Sequence, residues 1–278
     1  MARATLGPRI AACLFWLTTS VFAMAAPVKI DPAPAALANA MQGHAVVLLG
    51  EVHDNAAQHA LRVAALRRLL ETGARPAIAF EQLDRERQID IDRARRERPG
   101  DADYLIAQAN GNAGWRWESY RPFVALALEY NVPIVAANLS RSDAIRVAID
   151  GWLAVFDASK VGELGLDKLP ADYRRKHEEA IAAGHCNTLS TEEAAARARG
   201  QIARDIVMAQ SLRPYLKRGV VLLAGNGHVR RDIGVPVWLQ AVTISIGILE
   251  ADEDSANFDS YIVTDRATRP DPCNELRR

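Results

Sequence analysis

Three short runs of aliphatic residues along this chain each end at titratable side chains. The runs and the side chains that follow them are Val46–Leu49 with Glu51 and His53, residues 77–80 with Glu81, and residues 220–224 with His228. Uninterrupted apolar runs of this length are typical of strands buried on both faces in a parallel sheet. Ligands of open α/β sheets bind where the strands end. The pattern therefore predicts that these side chains share one site.

The segment between the first two runs has the periodicity of an amphipathic helix. Residues 56–70 place their apolar side chains on one face, so that Arg62, Arg67 and Arg68 can face water. Asn55 is a natural cap for this helix. A strand, a helix and a second strand in this order predict a βαβ unit with parallel strands and a right-handed crossover.

The remaining pattern completes an α/β fold with a mostly parallel sheet flanked by helices. Further strands are predicted at 134–137, from 220, at 242–246 and at 260–264, and helices at 35–41, about 115–130, about 143–156, 171–183 and 192–212. The last helix begins with Ser190 and Glu193 at capping-box spacing. Residues 140–216 contain no convincing strand, so they are predicted to form a helical insertion. The charge-rich run 84–98 is predicted to be a solvated helix face.

The first 25 residues have the features of an export signal. An apolar run from 10 to 22 follows Arg3 and Arg9, and the small residues Ala23 and Ala25, spaced by one position, favour cleavage near Ala25. We expect a signal peptide at 1–25, a periplasmic location, and one α/β domain at 26–278. Cys13 suggests a lipoprotein instead, but it lies inside the apolar run rather than after it.

The charge balance limits the kinds of partner that this chain can have, and its cysteine content indicates the redox compartment. The chain has 34 basic and 34 acidic residues, so nothing in it attracts nucleic acid electrostatically. After cleavage only Cys186 and Cys273 remain, which in an exported chain predicts one disulfide. The alternative is two unpaired thiols.

The strand-end residues suit metal chemistry. Two imidazoles and two carboxylates, with no thiolate, suit zinc or manganese, with Glu51, His53 and His228 as ligands and a carboxylate activating bound water. Taken singly, each of these residues is more often a helix cap or a salt-bridge partner. Two other sites are excluded, because Arg230 replaces the third glycine of a dinucleotide loop and Ile181 replaces the second histidine of a zinc-protease helix.

At these motifs the chain resembles the ChaN-like haem-binding family, within the Tiki and erythromycin-esterase-like superfamily. The similar segments are residues 48–55, 80–82, 136–139, 185–186, Gln201 with Arg204 and Asp205, and residues 225–236. The resemblance implies an α/β core with a helical insertion, haem binding linked to iron uptake, and strand-end Glu and His residues that are metal-binding or catalytic candidates. Asn187 departs from the pattern where a glycine is expected, and the export signal differs from that of lipoprotein members.

For the haem iron, the resemblance suggests a tyrosinate ligand. Our hypothesis is Tyr173, because His177 lies four residues later on the same helix face. Tyr120 and His185 are the alternatives, and Tyr173 as a packing residue with its hydroxyl in water is at least as strong an interpretation.

The function predicted from sequence is periplasmic haem binding for uptake or storage. Haem is the expected ligand, with a homodimer and an outer-membrane haem receptor system as candidate partners. The alternative is a metal-dependent hydrolase using Glu51, His53, Glu81 and His228. A third interpretation is a scaffold that has lost both activities and acts through partners.

Overall fold

The computed structural model describes residues 26–109, 114–252, 254–271, 273 and 274. Seven strands form one sheet in the order β1-β7-β6-β2-β5-β3-β4, and every described pair is parallel. The strands are β1 (Val28–Lys29), β2 (Val46–Leu49), β3 (Ala77–Asp84), β4 (Ile134–Asn138), β5 (Val220–Leu223), β6 (Ile244–Leu249) and β7 (Ser260–Val263). The predicted fold class is confirmed.

Helices cover both faces of this sheet. They are α1 (Pro34–Met41), α2 (Ala56–Glu71), α3 (Gln88–Glu97), α4 (Ala102–Ala109), α5 (Trp117–Glu129), α6 (Arg141–Asp150), α7 (Ala158–Leu164), α8 (Ala171–Gly184), α9 (Thr191–Leu212), α10 (Asn226–Val229) and α11 (Val235–Leu239). Between β4 and β5 the chain forms only helices and turns, as predicted for the insertion. The long helix α9 packs against α6, α8, α11 and β4.

Alternation along β2 explains its unbroken apolar sequence. Val47 and Leu49 pack into the core beneath α1, α2 and α5, whereas Val46 and Leu48 pack into the core beneath α6, α9 and α11. Successive side chains of a strand point to opposite faces, so a strand covered on both sides needs apolar residues at every position.

Several boundaries differ from the prediction. Strand β3 continues through Glu81 to Asp84, and the amide of Asn138 on β4 holds it there by donating to the backbone oxygen of Glu81 at 2.8 Å. The helix predicted at 143–156 ends at Asp150, because Gly151 adopts a φ of 82° that breaks helical geometry. Strand β6 begins at Ile244, and Val242, predicted to open it, is 90% exposed.

Both predicted helix caps are present. The side chain of Asn55 accepts a hydrogen bond from the backbone N–H of Gln58 at 3.1 Å. Ser190 and Glu193 form both bonds of a capping box at the start of α9.

The prediction that Arg62 faces water is wrong. This side chain is fully buried, contacts the carboxylate of Glu51, and donates to the backbone oxygen of Leu49 at 3.2 Å. By helical periodicity Arg62 lies beside the apolar face of the helix. It is buried because an ionised carboxylate inside the protein is stable only when a cation compensates its charge. Arg67 does lie at the surface, paired with Glu129 at 2.8 Å.

The sulfurs of Cys186 and Cys273 lie 1.99 Å apart, at bonding distance, in agreement with the predicted disulfide. It ties the C-terminal tail to the turn after α8.

The predicted signal peptide at 1–25 lies outside the described residues. Within the described part of the chain, no helix combines the length and apolar character needed to cross a membrane.

Candidate functional site

The carboxyl ends of three neighbouring strands bring the predicted site residues together. Strand β5 lies between β2 and β3, so Glu51 and His53, Glu81, and His228 meet at one edge of the sheet. Nδ1 of His53 lies 2.7 Å from Oε1 of Glu51, and its Nε2 lies 3.9 Å from Oε1 of Glu81. Asp205 of α9 joins them through His228. These five residues are called the strand-end cluster below.

Glu51 is the buried anchor of this cluster. Its carboxylate contacts the buried guanidinium of Arg62, accepts a hydrogen bond from the hydroxyl of Tyr120 at 2.5 Å, and accepts one from Nδ1 of His53. The bond from Nδ1 fixes the imidazole so that Nε2 faces away from Glu51. The Arg62 charge compensates the buried carboxylate.

His228 bridges the two other carboxylates. Its Nδ1 donates to Oδ1 of Asp205 at 2.6 Å, and its Nε2 lies 3.4 Å from Oε1 of Glu81. Burial alone would lower the pKa of His228, but the two carboxylates raise it to about 10. Burial would likewise raise the pKa of Glu81, yet the His228 charge holds it well below its usual value. His228 is therefore an imidazolium at neutral pH.

Asp205 has the opposite balance. Its pKa is raised to about 6, because burial outweighs the attraction of His228. Its second carboxylate oxygen, Oδ2, is buried without a hydrogen-bond partner in the described part of the chain.

Gly225 is required by this geometry. A Cβ atom at Gly225 would lie 2.8 Å from Nε2 of His53, and its backbone N–H donates to Oε2 of Glu81 at 2.7 Å. The turn that contains Gly225 therefore lies close to the His53 ring and the Glu81 carboxylate.

A pocket of about 660 Å³ opens above the cluster. His53 lies in it with its side chain 44% exposed, and Trp115 contacts the imidazole edge-on at 4.9 Å between ring centroids. Tyr120 and Phe123 of α5 are buried, whereas Trp115, just before this helix, forms part of the pocket wall. The rim also carries Arg141, Gln201 and Arg204.

The arrangement does not support the predicted zinc or manganese site. Among the described residues, no group of three or more His, Cys, Asp and Glu side chains is placed to hold a metal ion. The reason is that the atoms that would bind a metal already have protein partners. Arg62 and Tyr120 contact the Glu51 carboxylate, the backbone N–H of Gly225 donates to Glu81, and His228 donates to Asp205.

A second depression, of about 530 Å³, runs between α6 and α9 and adjoins the pocket. We call it the α6–α9 groove. Its lining is Arg141, Ala144, Ile145, Ala148, Ile149, Ile181, His185, Glu193, Ala196, Arg197, Gly200, Gln201 and Arg204. Gly200 lets the two helices approach closely, since a Cβ there would lie 2.8 Å from the backbone oxygen of Ala144.

His185 lies at one end of this groove, directly after α8. Its Nδ1–H donates to the backbone oxygen of Ile181 at 2.8 Å. That bond leaves the lone pair on Nε2, which accepts a hydrogen bond from Nη1 of Arg197 at 3.4 Å. An imidazole oriented through Nδ1 in this way is suited to ligate a metal centre through Nε2.

The other predicted haem ligands lie in packed surroundings. The Tyr173 hydroxyl donates to the backbone oxygen of Ile233 at 2.9 Å and accepts from the indole N–H of Trp238 at 2.9 Å. His177 is buried and donates to the same Ile233 oxygen. Burial raises the pKa of the Tyr173 phenol and lowers that of His177 to about 4. These contacts favour the packing interpretation of Tyr173, and its role as a ligand stays a prediction.

Tyr120 lies in the same kind of surroundings. It is buried and donates to Glu51, and burial raises the pKa of its phenol. Of the candidate haem ligands, His185 alone lines the groove.

Sequence reasoning missed the partners of the predicted residues. The helical pattern predicts Arg62 at the surface, and no motif marks Arg141. Asp205 and Arg204 belong to a segment on which the family resemblance rests. The sequence therefore marks these two residues but does not indicate what either of them does. Helix α9, far away in sequence, brings both to the strand ends.

Comparison with known proteins agrees with this architecture. Residues 37–239 match the model of a family described as haem-binding uptake, Tiki superfamily, ChaN. No curated protein matches the chain by sequence.

A solved structure of the same family shares the fold, and two others are more distantly similar. The haem-bound ChaN of Campylobacter jejuni, described as binding haem cofacially, superposes with a TM-score of 0.68 at 22% identity, covering 80% of this chain and 88% of that one. The type III effector HopBA1 gives a TM-score of 0.47 at 10% identity, covering 89% and 100%. An erythromycin esterase mutant, EreC H289N, gives 0.45 at 14% identity, covering 81% and 76%.

Proposed function

Because the chain belongs to the ChaN family of the Tiki superfamily, we propose that it binds haem in the α6–α9 groove with His185 as the iron ligand. Haem is a flat apolar macrocycle with an iron at its centre and two carboxylates at one edge. A site for it needs apolar walls, a side chain that ligates iron, and cations at one end.

The groove supplies the apolar walls. Ile145 and Ile149, one turn apart on α6, are 48% and 74% exposed. Large aliphatic side chains exposed side by side often mark a binding surface. The groove volume lies within the range of about 300–1,000 Å³ that small-molecule and cofactor sites occupy.

The orientation of His185 is the observation that carries the proposal. Its Nδ1–H donates to the backbone oxygen of Ile181, so the lone pair lies on Nε2, and the partner of Nε2 that haem iron would displace is the exposed side chain of Arg197. Histidines that ligate metals are in general oriented in the same way, by a hydrogen bond from the ring nitrogen that does not contact the metal.

Hemin titration of the purified protein, followed at the Soret band, tests this function. Wild type is expected to bind saturably, and His185→Ala to lose at least about tenfold in affinity with an altered spectrum. Tyr173→Phe is expected to bind as wild type does. His44→Ala is the matched control, since His44 is exposed and precedes β2 at the opposite edge of the sheet.

Two outcomes contradict the assignment. If wild type fails to bind hemin, the function is wrong. If Tyr173→Phe loses the Soret signature while His185→Ala retains it, the ligand is the tyrosine predicted from family resemblance.

We further propose that the protein is periplasmic and takes part in haem uptake or storage. Support comes from the signal-like residues 1–25 and from the Cys186–Cys273 pair, which suits an oxidising compartment. N-terminal sequencing of the mature protein from a periplasmic fraction is expected to begin after Ala25; recovery of the intact chain in the cytoplasm contradicts it.

A homodimer and an outer-membrane haem receptor system remain proposals of the same kind. Light scattering with and without hemin tests the first: an unchanged monomer mass after hemin saturation contradicts it. Retention of the purified protein by membranes containing such a receptor, in the presence of hemin, tests the second, and equal retention by receptor-free membranes contradicts it.

A second candidate function is hydrolysis at the strand-end cluster. One observation favours it: His53 is half-exposed at the floor of a pocket, held through Nδ1 by Glu51, so that Nε2 is placed to accept a proton from water. Turnover of a panel of chromogenic esters that is lost in His53→Ala would support this function. Equal rates in both proteins would contradict it.

A further inference from the structure

Two arginines lie where the groove meets the strand-end pocket. Arg141 is the first residue of α6, Arg204 lies on α9, and both line both depressions. In the described part of the chain, neither guanidinium has a hydrogen-bond or salt-bridge partner. Arg204 is only partly exposed, and burial lowers its pKa despite the carboxylates of Glu81, Asp84 and Asp205 nearby. A partly buried cation without a direct partner is costly unless a ligand supplies one.

The neighbouring carboxylates have other direct partners. Glu81 accepts from Gly225 and lies beside His228, and Asp205 accepts from His228. Arg146, also on α6, is paired with Asp143 at 3.0 Å. Arg141 and Arg204 are therefore available to an anion from outside, whereas Arg197, the third arginine of the groove, contacts Nε2 of His185 at its other end.

We propose that Arg141 and Arg204 bind the propionate carboxylates of haem, which therefore lies with its carboxylate edge toward the strand-end pocket and its iron toward His185. The inference rests on the proposed haem-binding function and deepens it. Guanidinium groups form paired, charge-assisted hydrogen bonds with carboxylates, which fixes the orientation of the bound molecule.

The spacing along α9 fits this orientation. Arg197 lies beside His185, and Arg204 follows seven residues later, about 10 Å along the helix axis at 1.5 Å per residue. A macrocycle whose iron is central and whose carboxylates are peripheral requires that the iron ligand and the cations be separated along the groove. Ile145 and Ile149 flank the space between.

The experiment changes ligand and protein together. Hemin and hemin dimethyl ester, whose carboxylates are blocked, are titrated into wild type, Arg204→Gln and Arg141→Gln under the same detergent conditions. Each variant is expected to lose about tenfold in affinity for hemin, as removal of a charge-assisted hydrogen bond implies, and to bind the ester as wild type does. Arg146→Gln, which removes the same charge from the same helix away from the groove, is expected to leave both affinities unchanged.

Other outcomes overturn the inference. If both variants bind hemin as tightly as wild type, haem binds without these arginines, and the proposed function still stands. If they lose hemin and ester equally, the arginines maintain the groove rather than contact carboxylates. Failure of wild type to bind hemin at all would remove the proposed function itself. Circular dichroism monitors folding, and Arg141, which is exposed, carries the test if Arg204→Gln does not fold.

Discussion

The strand-end cluster and the α6–α9 groove adjoin one another but differ in how their polar groups are satisfied. In the cluster, charged groups compensate one another: Arg62 contacts Glu51, and His228 lies between Glu81 and Asp205. In the groove, apolar side chains are exposed, and Arg141 and Arg204 have no direct partner in the described part of the chain. A set of charges that satisfies itself stabilises one geometry, whereas unsatisfied groups on an open surface are available for a ligand. The comparison supports the proposal that haem binds in the groove, with its charged edge where the groove meets the pocket.

The largest effect is expected from breaking the buried pair in the cluster. Arg62→Ala removes the cation from a fully buried carboxylate, which should lower the free energy of unfolding by about 3–5 kcal/mol. Urea denaturation measures this loss. Arg67→Ala on the same helix removes an exposed pair with Glu129 and is expected to cost less than about 1 kcal/mol. Equal losses in the two variants would show that the cluster is not stabilised by mutual compensation.

A smaller effect concerns pH. Because the pKa of His228 is raised in the folded protein to about 10, its charge stabilises the fold below its unfolded pKa, and this contribution is lost as pH rises toward 10. Unfolding free energy measured between about pH 7 and 9.5 should therefore fall for wild type and fall less steeply for His228→Gln. The slope is the readout, since the substitution also lowers stability at every pH. Parallel slopes would show that the imidazolium of His228 does not stabilise the folded state.

The smallest effect on stability is expected in the groove. Ile149 is 74% exposed, so Ile149→Ser should change the free energy of unfolding by less than about 0.5 kcal/mol. The same substitution removes apolar area that haem would cover, which should weaken hemin binding about fivefold. Ile89→Ser on α3, where Ile89 is 70% exposed, is the control and should leave hemin affinity unchanged. A stability loss above about 2 kcal/mol, or unchanged hemin affinity, would remove the distinction between the two regions.

Much of the fold follows from local pattern. Runs such as Val46–Leu49 must be buried on both faces, and parallel strands in one sheet must end at one edge, so the meeting of Glu51, His53, Glu81 and His228 was predictable. Asn55 and Ser190 cap their helices through contacts with residues only three positions away, which sequence spacing records directly. The pairing of the two cysteines was predictable because only two remain after residue 25.

Tertiary structure alone decided which polar groups have partners within the protein and which are available to a ligand. Whether Arg62 faces water depends on the carboxylate that α2 packs against, and whether Tyr173 can reach a ligand depends on Ile233 and Trp238, some sixty residues away. Sequence determined where the chemistry would gather, because periodicity and strand ends are local properties. It did not determine which side chains keep an unpaired polar group, because long-range packing sets the partners of each side chain. The same packing placed His185, Arg141 and Arg204 along one groove.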